Sequence, residues 1–298
     1  EEEGWDDKSK SERGKSPTPS TSPIKDYTAD ECPFGKPRKG IYDSLLLAKN
    51  YDGARDPKGW YISEKLDGVR AFWDGKNFWA RNGNRKYYPP LWFVTDFPKS
   101  PLDGELYMGK GNYTKCVNAV KREKPNENEW NQIEYVVFDA PELPLTFEKR
   151  YEKLRDYFEK HPSPYIRVLE HTICKGREHL QKEISRIEEF GGEGIMLRDP
   201  KSLYEKGRSN SLLKVKPYQD EEATVVGYEP GKNKYAGLTG ALRVRNKDGI
   251  EFNISTGLTM AMRKYPPKIG EKITYKYDGL TNAGVPKKPT FLRVYTED

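Results

Sequence analysis

The chain has 298 residues, of which 35% are hydrophobic and 33% are charged, and its formal net charge at pH 7 is +6. This length is typical of one large domain or two ordinary ones with a modest core, and no apolar run approaches the ~20 residues that a membrane-spanning helix needs. The three cysteines and three histidines are widely spaced. They argue against a disulfide framework, a zinc site and nucleophilic catalysis by histidine.

The first 40 residues contain almost no hydrophobic core residues and include a segment rich in Ser, Thr and Pro at 16–23. Such a composition predicts a disordered or linker tail over residues 1–40. The sequence begins with Glu rather than Met, which we interpret as a processed form or a fragment. An intracellular location, cytoplasmic or nuclear, is favoured, and a removed signal peptide stays open.

Residues 41–217 mix strand and helix patterns and predict an α+β domain. Apolar residues at helical spacing indicate helices over 147–160 and 179–190, the second ended by a Gly-Gly pair. Strand patterns occur over residues 60–65, 69–73, 77–81, 102–107 and 133–138.

Residues 218–298 show short strands almost alone, interrupted by one brief helical stretch near Met260. A strong hairpin turn, Asp248-Gly249, separates the second and third strands. Five short strands of this kind predict a C-terminal all-β domain, a small Greek-key barrel such as an OB-fold. The predicted strands cover residues 223–228, 241–245, 250–256, 272–277 and 290–295.

The basic excess lies at the C-terminal end of the chain. Residues 205–298 contain 17 Lys and Arg against 11 Asp and Glu, so this third carries the whole net charge of +6. A surplus of this kind suits a polyanionic partner such as nucleic acid, although the charge alone favours an ordinary basic surface.

The most informative motif is the run KLDGVR at residues 65–70. It places an amine nucleophile, Lys65, at the end of a predicted strand, a carboxylate, Asp67, two residues on, and a fixed cation, Arg70, after a glycine. A lysine becomes a nucleophile when burial or nearby positive charge removes its proton. Taken alone, the run is equally consistent with an ordinary strand followed by an Asp-Gly turn.

Further charged and aromatic groups follow other predicted strands. They occur in the segments RNGN (81–84), LDGEL (102–106), VVFD (136–139), GEGIMLR (192–198) and LLKVK (212–216). Basic groups neutralise a triphosphate, carboxylates hold Mg²⁺, an aromatic face stacks on a base and one lysine acts as the nucleophile. Each group has a structural explanation by itself, but the ordered set indicates nucleotidyl transfer.

This order of motifs resembles that of the covalent nucleotidyltransferases, and most closely the ATP-dependent DNA ligases of the minimal type. The similarity covers about residues 41–298 and implies a nucleotidyltransferase (adenylation) domain followed by an OB-fold domain. It also implies ATP and Mg²⁺ as cofactors, with Mn²⁺ as a possible substitute for Mg²⁺. The expected partner is nicked double-stranded DNA. The resemblance further implies a monomer that does not contact a membrane.

The resemblance also implies the roles of individual residues. Lys65 would attack the α-phosphate of ATP, with Asp67 and Arg70 as the other catalytic residues. Phe138 would stack on adenine and Glu105 would bond the ribose, while Glu193 and Glu105 would hold the metal ion. The full nucleotide-binding set would be Lys65, Arg70, Arg81, Glu105, Phe138, Lys214, Lys216 and Arg293.

The last motif departs from the family pattern. Arg293 matches it, but Tyr295 stands where many members have a second arginine, and Asp298 where a lysine is common. Two related enzymes, an mRNA-capping guanylyltransferase and an RNA ligase, stay open as alternatives. A non-catalytic nucleic-acid binder is disfavoured because Lys65, Glu105 and Glu193 are all present.

Overall fold

The computed structural model describes residues 27–296, and within them three sheets form two bodies. The first two sheets form the core domain and the third forms the barrel domain. The core-domain strands are β1 (Leu46–Asn50), β2 (Tyr61–Glu64), β3 (Val69–Trp73), β4 (Phe78–Ala80), β5 (Lys86–Tyr87), β6 (Leu102–Tyr107), β7 (Glu134–Asp139), β8 (Ile166–Val168), β9 (Thr172–Ile173), β10 (Ile195–Arg198) and β11 (Gly207–Val215). Its helices are α1 (Leu91–Val94), α2 (Tyr113–Lys121), α3 (Glu127–Trp130), α4 (Phe147–Lys160) and α5 (Arg177–Glu189).

The two core-domain sheets are built from strands that are far apart in sequence. One sheet has the order β5-β4-β3-β6-β7-β8 and the other has the order β1-β11-β10-β2-β9. The chain passes from the second sheet to the first between β2 and β3, that is, within the KLDGVR run. The predicted strands and both predicted helices are present, with ends displaced by one or two residues.

The barrel domain consists of β12 (Gln219–Pro230), β13 (Thr239–Asn246), β14 (Glu251–Ile254), α6 (Met260–Lys264), β15 (Lys272–Tyr277) and β16 (Thr290–Val294). Its strand order is β14-β13-β12-β15-β16. A parallel bridge between Thr256 and Thr290 joins the two ends of this sheet and closes it into a barrel. A five-stranded, partly open barrel of this kind is expected of an OB-fold, and the predicted α+β fold with a C-terminal all-β domain is confirmed.

The structure corrects the predicted tail at its C-terminal end. Residues 27–40 pack on the core domain, and the ring of Phe34 is 1% exposed and makes an edge contact with Tyr157 at 5.1 Å between ring centroids. The backbone N–H of Phe34 donates to Ser100 Oγ at 3.0 Å, and Cys32 Sγ donates to the Lys99 carbonyl at 3.4 Å. One buried aromatic ring therefore anchors a segment whose composition resembles a linker. Residues 1–26 of the predicted tail lie outside the described part of the chain.

No helix within residues 27–296 is long and apolar enough to cross a bilayer.

A buried ion cluster connects the two core-domain sheets. The carboxylate of Asp139 in β7 accepts hydrogen bonds from Arg150 in α4, at 2.7 and 3.1 Å, and from Arg198 in β10, at 2.6 Å. Burial favours the neutral acid, but the charges of Arg198 and Arg150 outweigh it and lower the pKa of Asp139. Asp139 thus fixes both arginines and holds α4 against the two sheets.

We expect Asp139→Asn to lower the free energy of unfolding by about 3–5 kcal/mol, because it leaves two buried guanidinium groups without a counter-charge. Glu134→Gln, in the same strand, is the matched control, since the pair of Glu134 with Arg167 is exposed at 2.8 Å and contributes about 1 kcal/mol or less. Urea unfolding followed by tryptophan fluorescence measures both. Equal losses in the two variants would contradict the structural role of Asp139.

Candidate functional site

Lys65 lies at the crossover between the two core-domain sheets. Its backbone N–H donates to the Gly194 carbonyl at 3.0 Å, which ties the end of β2 to the loop before β10. Gly68 permits the chain to enter β3 here, because a Cβ at this position would lie 2.5 Å from the Leu106 carbonyl oxygen and 2.8 Å from Cγ of Glu105. The motif therefore places Lys65 in the cleft between the sheets.

The ammonium of Lys65 forms an ion pair with Glu193. Burial favours the neutral amine, but Glu193 outweighs it, so the pKa of Lys65 is raised. The sequence led us to expect surroundings that remove the proton, and the structure shows an arrangement that retains it. Arg293 counteracts this effect in part.

Arg293 brings the barrel domain into the same cluster. Its Nη1 donates to Glu193 Oε1 at 2.9 Å and to Asp67 Oδ1 at 3.3 Å. Although burial favours neutral Glu193, the charges of Lys65 and Arg293 lower its pKa to about 2. Burial and the charge of Glu193 instead raise the pKa of Asp67 to about 6. The two acids are close enough to share a hydrogen bond.

Arg70 is held by protein groups. Its Nε and Nη2 donate to the two carboxylate oxygens of Asp103 at 2.8 and 2.6 Å, and Nη2 also donates to the Leu46 carbonyl at 2.9 Å. The guanidinium lies over the Phe138 ring, 5.0 Å from its centroid. Arg70 therefore positions the aromatic ring and also lines the cavity described below.

Two further lysines line the cavity at the end of β11, Lys214 within the strand and Lys216 directly after it. Burial, together with the charges of Lys216 and Lys65, lowers the pKa of Lys214. Lys216 forms an ion pair with Asp220 at the start of the barrel domain. The surroundings of Lys214 therefore favour loss of a proton, whereas those of Lys65 oppose it.

The remaining predicted residues occupy different depths. Glu105 in β6 lies opposite Arg70 in β3 in the register of the two strands. Its negative charge contributes to the raised pKa of Lys65. Arg81 is exposed and lies at the rim. All the predicted site residues line one cavity of about 970 Å³, a volume typical of small-molecule sites. They are Lys65, Asp67, Arg70, Arg81, Glu105, Phe138, Glu193, Lys214, Lys216 and Arg293.

Comparison with known proteins identifies the family. The model of the ATP dependent DNA ligase domain matches residues 46–216, and that of the DNA ligase OB-like domain matches residues 230–294. A DNA ligase of Haemophilus influenzae is 37% identical over 249 residues, which cover 84% of this chain and 91% of that protein. The chain belongs to the ATP-dependent DNA ligases.

Solved structures agree with this assignment. A Lig E DNA ligase is 35% identical to this ligase, with a TM-score of 0.59, and the match covers 86% of this chain and 100% of that one. The Chlorella virus DNA ligase-adenylate is 22% identical, with a TM-score of 0.50 over 86% of this ligase and 99% of that chain, and supports the fold alone. The predicted family, its covalent nucleotidyl transfer and its use of ATP and DNA are confirmed. The roles of individual residues, the monomeric state and the cellular location stay predictions.

The acidic residues fit a divalent metal ion only in part. Within residues 27–296, no group of three or more His, Cys, Asp or Glu side chains could hold one. Asp67 and Glu193 lie side by side, however, and their carboxylate oxygens are the donors that Mg²⁺ prefers. Because Mg²⁺ is commonly bound by one or two carboxylates plus substrate phosphates, this pair fits an ion that arrives with a nucleotide.

Arg208, Tyr113 and His171 are among the cavity residues to which the sequence analysis assigned no role. Arg208 follows a glycine in a segment that resembles the family, but its contact is with the distant Ala48 carbonyl, at 2.9 Å. Tyr113 supports the barrel domain, since its hydroxyl bonds Thr296 at 2.8 Å and its ring lies 4.5 Å from the Arg293 guanidinium. His171 follows β8 and carries no motif. Of these three residues, only Arg208 had a signal in the sequence.

We expect Asp67→Asn to stabilise the ligase at pH 8 and to have little effect near pH 4. The pKa of Asp67 is about 6 in the folded chain against a normal value of 3.8. The folded state therefore holds this proton more tightly, and the stability that it contributes below pH 4 is lost as the pH rises through 6. Because asparagine never ionises, the variant should gain about 1–3 kcal/mol at pH 8.

Thermal midpoints at pH 4.5 and pH 8 measure this difference. Asp43→Asn, at an exposed aspartate, controls for the general effect of removing one negative charge. A gain of equal size at both pH values would contradict the assignment of the raised pKa to Asp67.

Proposed function

We propose that this ligase seals nicks between a 5′-phosphate and a 3′-hydroxyl in duplex DNA, with Lys65 as the nucleophile. The observation that carries the proposal is the position of Lys65. Its amine lies in a cavity of nucleotide size, with Glu193 on one side, and that cavity also contains Phe138 and Lys214.

In the first step, Lys65 Nζ attacks the α-phosphate of ATP, an N–P bond forms, and pyrophosphate leaves with the electrons of the broken P–O bond. Lys65 has to lose its proton before this attack, so its ion pair with Glu193 has to weaken first. Lys214 and Lys216 neutralise charge on the transferring phosphate. Arg81 approaches the phosphates from the rim.

The nucleotide is oriented by the core domain. Phe138, fixed by Arg70, offers an aromatic face to adenine, and Glu105 accepts a hydrogen bond from the ribose. Glu193, with Asp67 beside it, would hold Mg²⁺, and Mn²⁺ could take the same oxygens. When bound, such an ion supplies positive charge that stabilises the developing negative charge on the phosphates.

Two transfers complete the reaction. An oxygen of the DNA 5′-phosphate attacks the adenylate, AMP passes to the DNA end, and Lys65 is released as the leaving group. The neighbouring 3′-hydroxyl then attacks the 5′-phosphate, a phosphodiester bond forms, and AMP leaves. All of these groups come from one chain, which supports a monomer.

We expect Lys65→Ala to abolish the transfer of labelled AMP from ATP to the protein, because the variant lacks the amine that forms the N–P bond. Two assays measure this loss: the labelling of the protein with AMP, and the sealing of a 5′-phosphorylated nick with ATP and Mg²⁺. Lys58→Ala, at an exposed lysine outside the cavity, should seal like the wild type. Wild-type sealing by Lys65→Ala would refute the proposal.

We further expect Arg293→Ala to slow the adenylylation of Lys65 by about 10–100-fold, since it removes a half-buried cation beside the reacting lysine. The variant should seal a nick that already carries AMP with a smaller loss, because that assay bypasses the attack on ATP. Arg245→Ala is the control, as its pair with Glu251 is exposed on the barrel domain. Equal losses in both assays would show that Arg293 does not act on the first step.

A further inference from the structure

One row of side chains crosses the floor of the cavity. Lys214 pairs with Met196 across β11 and β10, and Met196 pairs with Ser63 across β10 and β2. Directly paired residues of an antiparallel sheet project from the same face. On the far side of β2, Ile62 pairs with Thr172, so the next position in this register places His171 beside Ser63. All four residues of the row line the cavity.

The two ends of this row differ in chemistry. Lys214 carries a positive charge at one end of the row, and the charge of Lys65 acts on it. At the other end, His171 follows Leu169 by two residues in the chain. Leu169 forms a small apolar cluster with Leu66, and Phe138 packs against that cluster. A base that stacks on Phe138 would therefore lie on the side of the cavity that contains His171.

The imidazole of His171 has a fixed orientation. Its Nδ1 lies 2.9 Å from the Leu169 carbonyl oxygen, and because a carbonyl only accepts, Nδ1 carries the hydrogen and donates it. The backbone N–H of His171 donates to the Tyr151 hydroxyl at 3.0 Å, and the ring makes edge contacts with Tyr151 and Phe147 at 4.8 and 5.1 Å between centroids. No residue among 27–296 bonds Nε2.

The ring is also neutral at physiological pH. Burial lowers the pKa of His171 to about 4, and the charge of Arg198 acts in the same direction. With the hydrogen on Nδ1, the neutral ring presents a lone pair at Nε2. Adenine carries an amine donor at its C6 position, where guanine carries an oxygen acceptor. An acceptor at this place in the cavity matches adenine and opposes guanine.

We propose that His171 Nε2 accepts a hydrogen bond from the C6 amine of adenine and thereby selects ATP over GTP. This inference rests on the proposed adenylylation of Lys65 and names a specificity residue for it. A site that offers a fixed acceptor rejects a base without the matching donor, because the acceptor then loses its partner on binding.

The test compares ATP with purine riboside triphosphate, which is ATP without the C6 amine, as donors for the adenylylation of Lys65. Wild-type ligase should prefer ATP in kcat/KM by about tenfold, the worth of one hydrogen bond in a buried site. In His171→Leu this preference should fall to about one, and discrimination against GTP should weaken. His171→Gln, whose amide oxygen can accept, should restore part of the preference.

Each preference is the ratio of two kcat/KM values measured on the same variant. A lower concentration of folded protein reduces both values equally, so it does not change the ratio. His161→Leu, at an exposed histidine outside the cavity, should keep the wild-type ratio. The inference is overturned if the wild type uses both triphosphates equally, or if His171→Leu keeps the tenfold preference. Failure of the proposed function looks different, because the wild type would then form no covalent nucleotide adduct with ATP at all.

Discussion

The arrangement of the site depends on the ion cluster around Glu193. One carboxylate binds Lys65 of the core domain, the proposed nucleophile, and Arg293 of the barrel domain, so the same charge acts on this lysine and on the contact between domains. A buried carboxylate with two cationic partners stays ionised, which explains why Asp67 beside it carries the raised pKa instead. Any process that neutralises Glu193 therefore frees Lys65 and loosens the barrel domain together.

The ligase uses buried charge in two different ways. Asp139 is completely buried and joins Arg150 and Arg198 in a cluster that fixes the two sheets. The cluster at Glu193 instead lines an open cavity, and two of its four members, Lys65 and Arg293, are cations that a polyanionic substrate can attract away. Buried pairs are costly to break when one partner is left alone. An incoming triphosphate offers replacement partners, so the second cluster can rearrange while the first stays intact.

Local sequence predicted the strands that end at charged groups of the cavity, because the KLDGVR run directly follows β2 and contains the lysine, the turn and the cation within six residues. The long-range pairings were not predictable. Arg70 binds Asp103, which is 33 positions away, and Tyr113 contacts Thr296 across 183 positions. Phe34 was assigned to a tail because its neighbours are polar, although a single buried ring can hold such a segment. His171 is recognisable only from the register of β2 and β9.

The volume of the cavity fits the first step of the proposed reaction. With Arg293 against Glu193, residues of both domains line about 970 Å³, which suits a nucleotide. Under the proposed mechanism, this arrangement therefore corresponds to the reaction with ATP. Loss of pyrophosphate removes the negative charge that the basic groups neutralise. The same step that forms the adenylate also changes the electrostatic balance that holds the domains together.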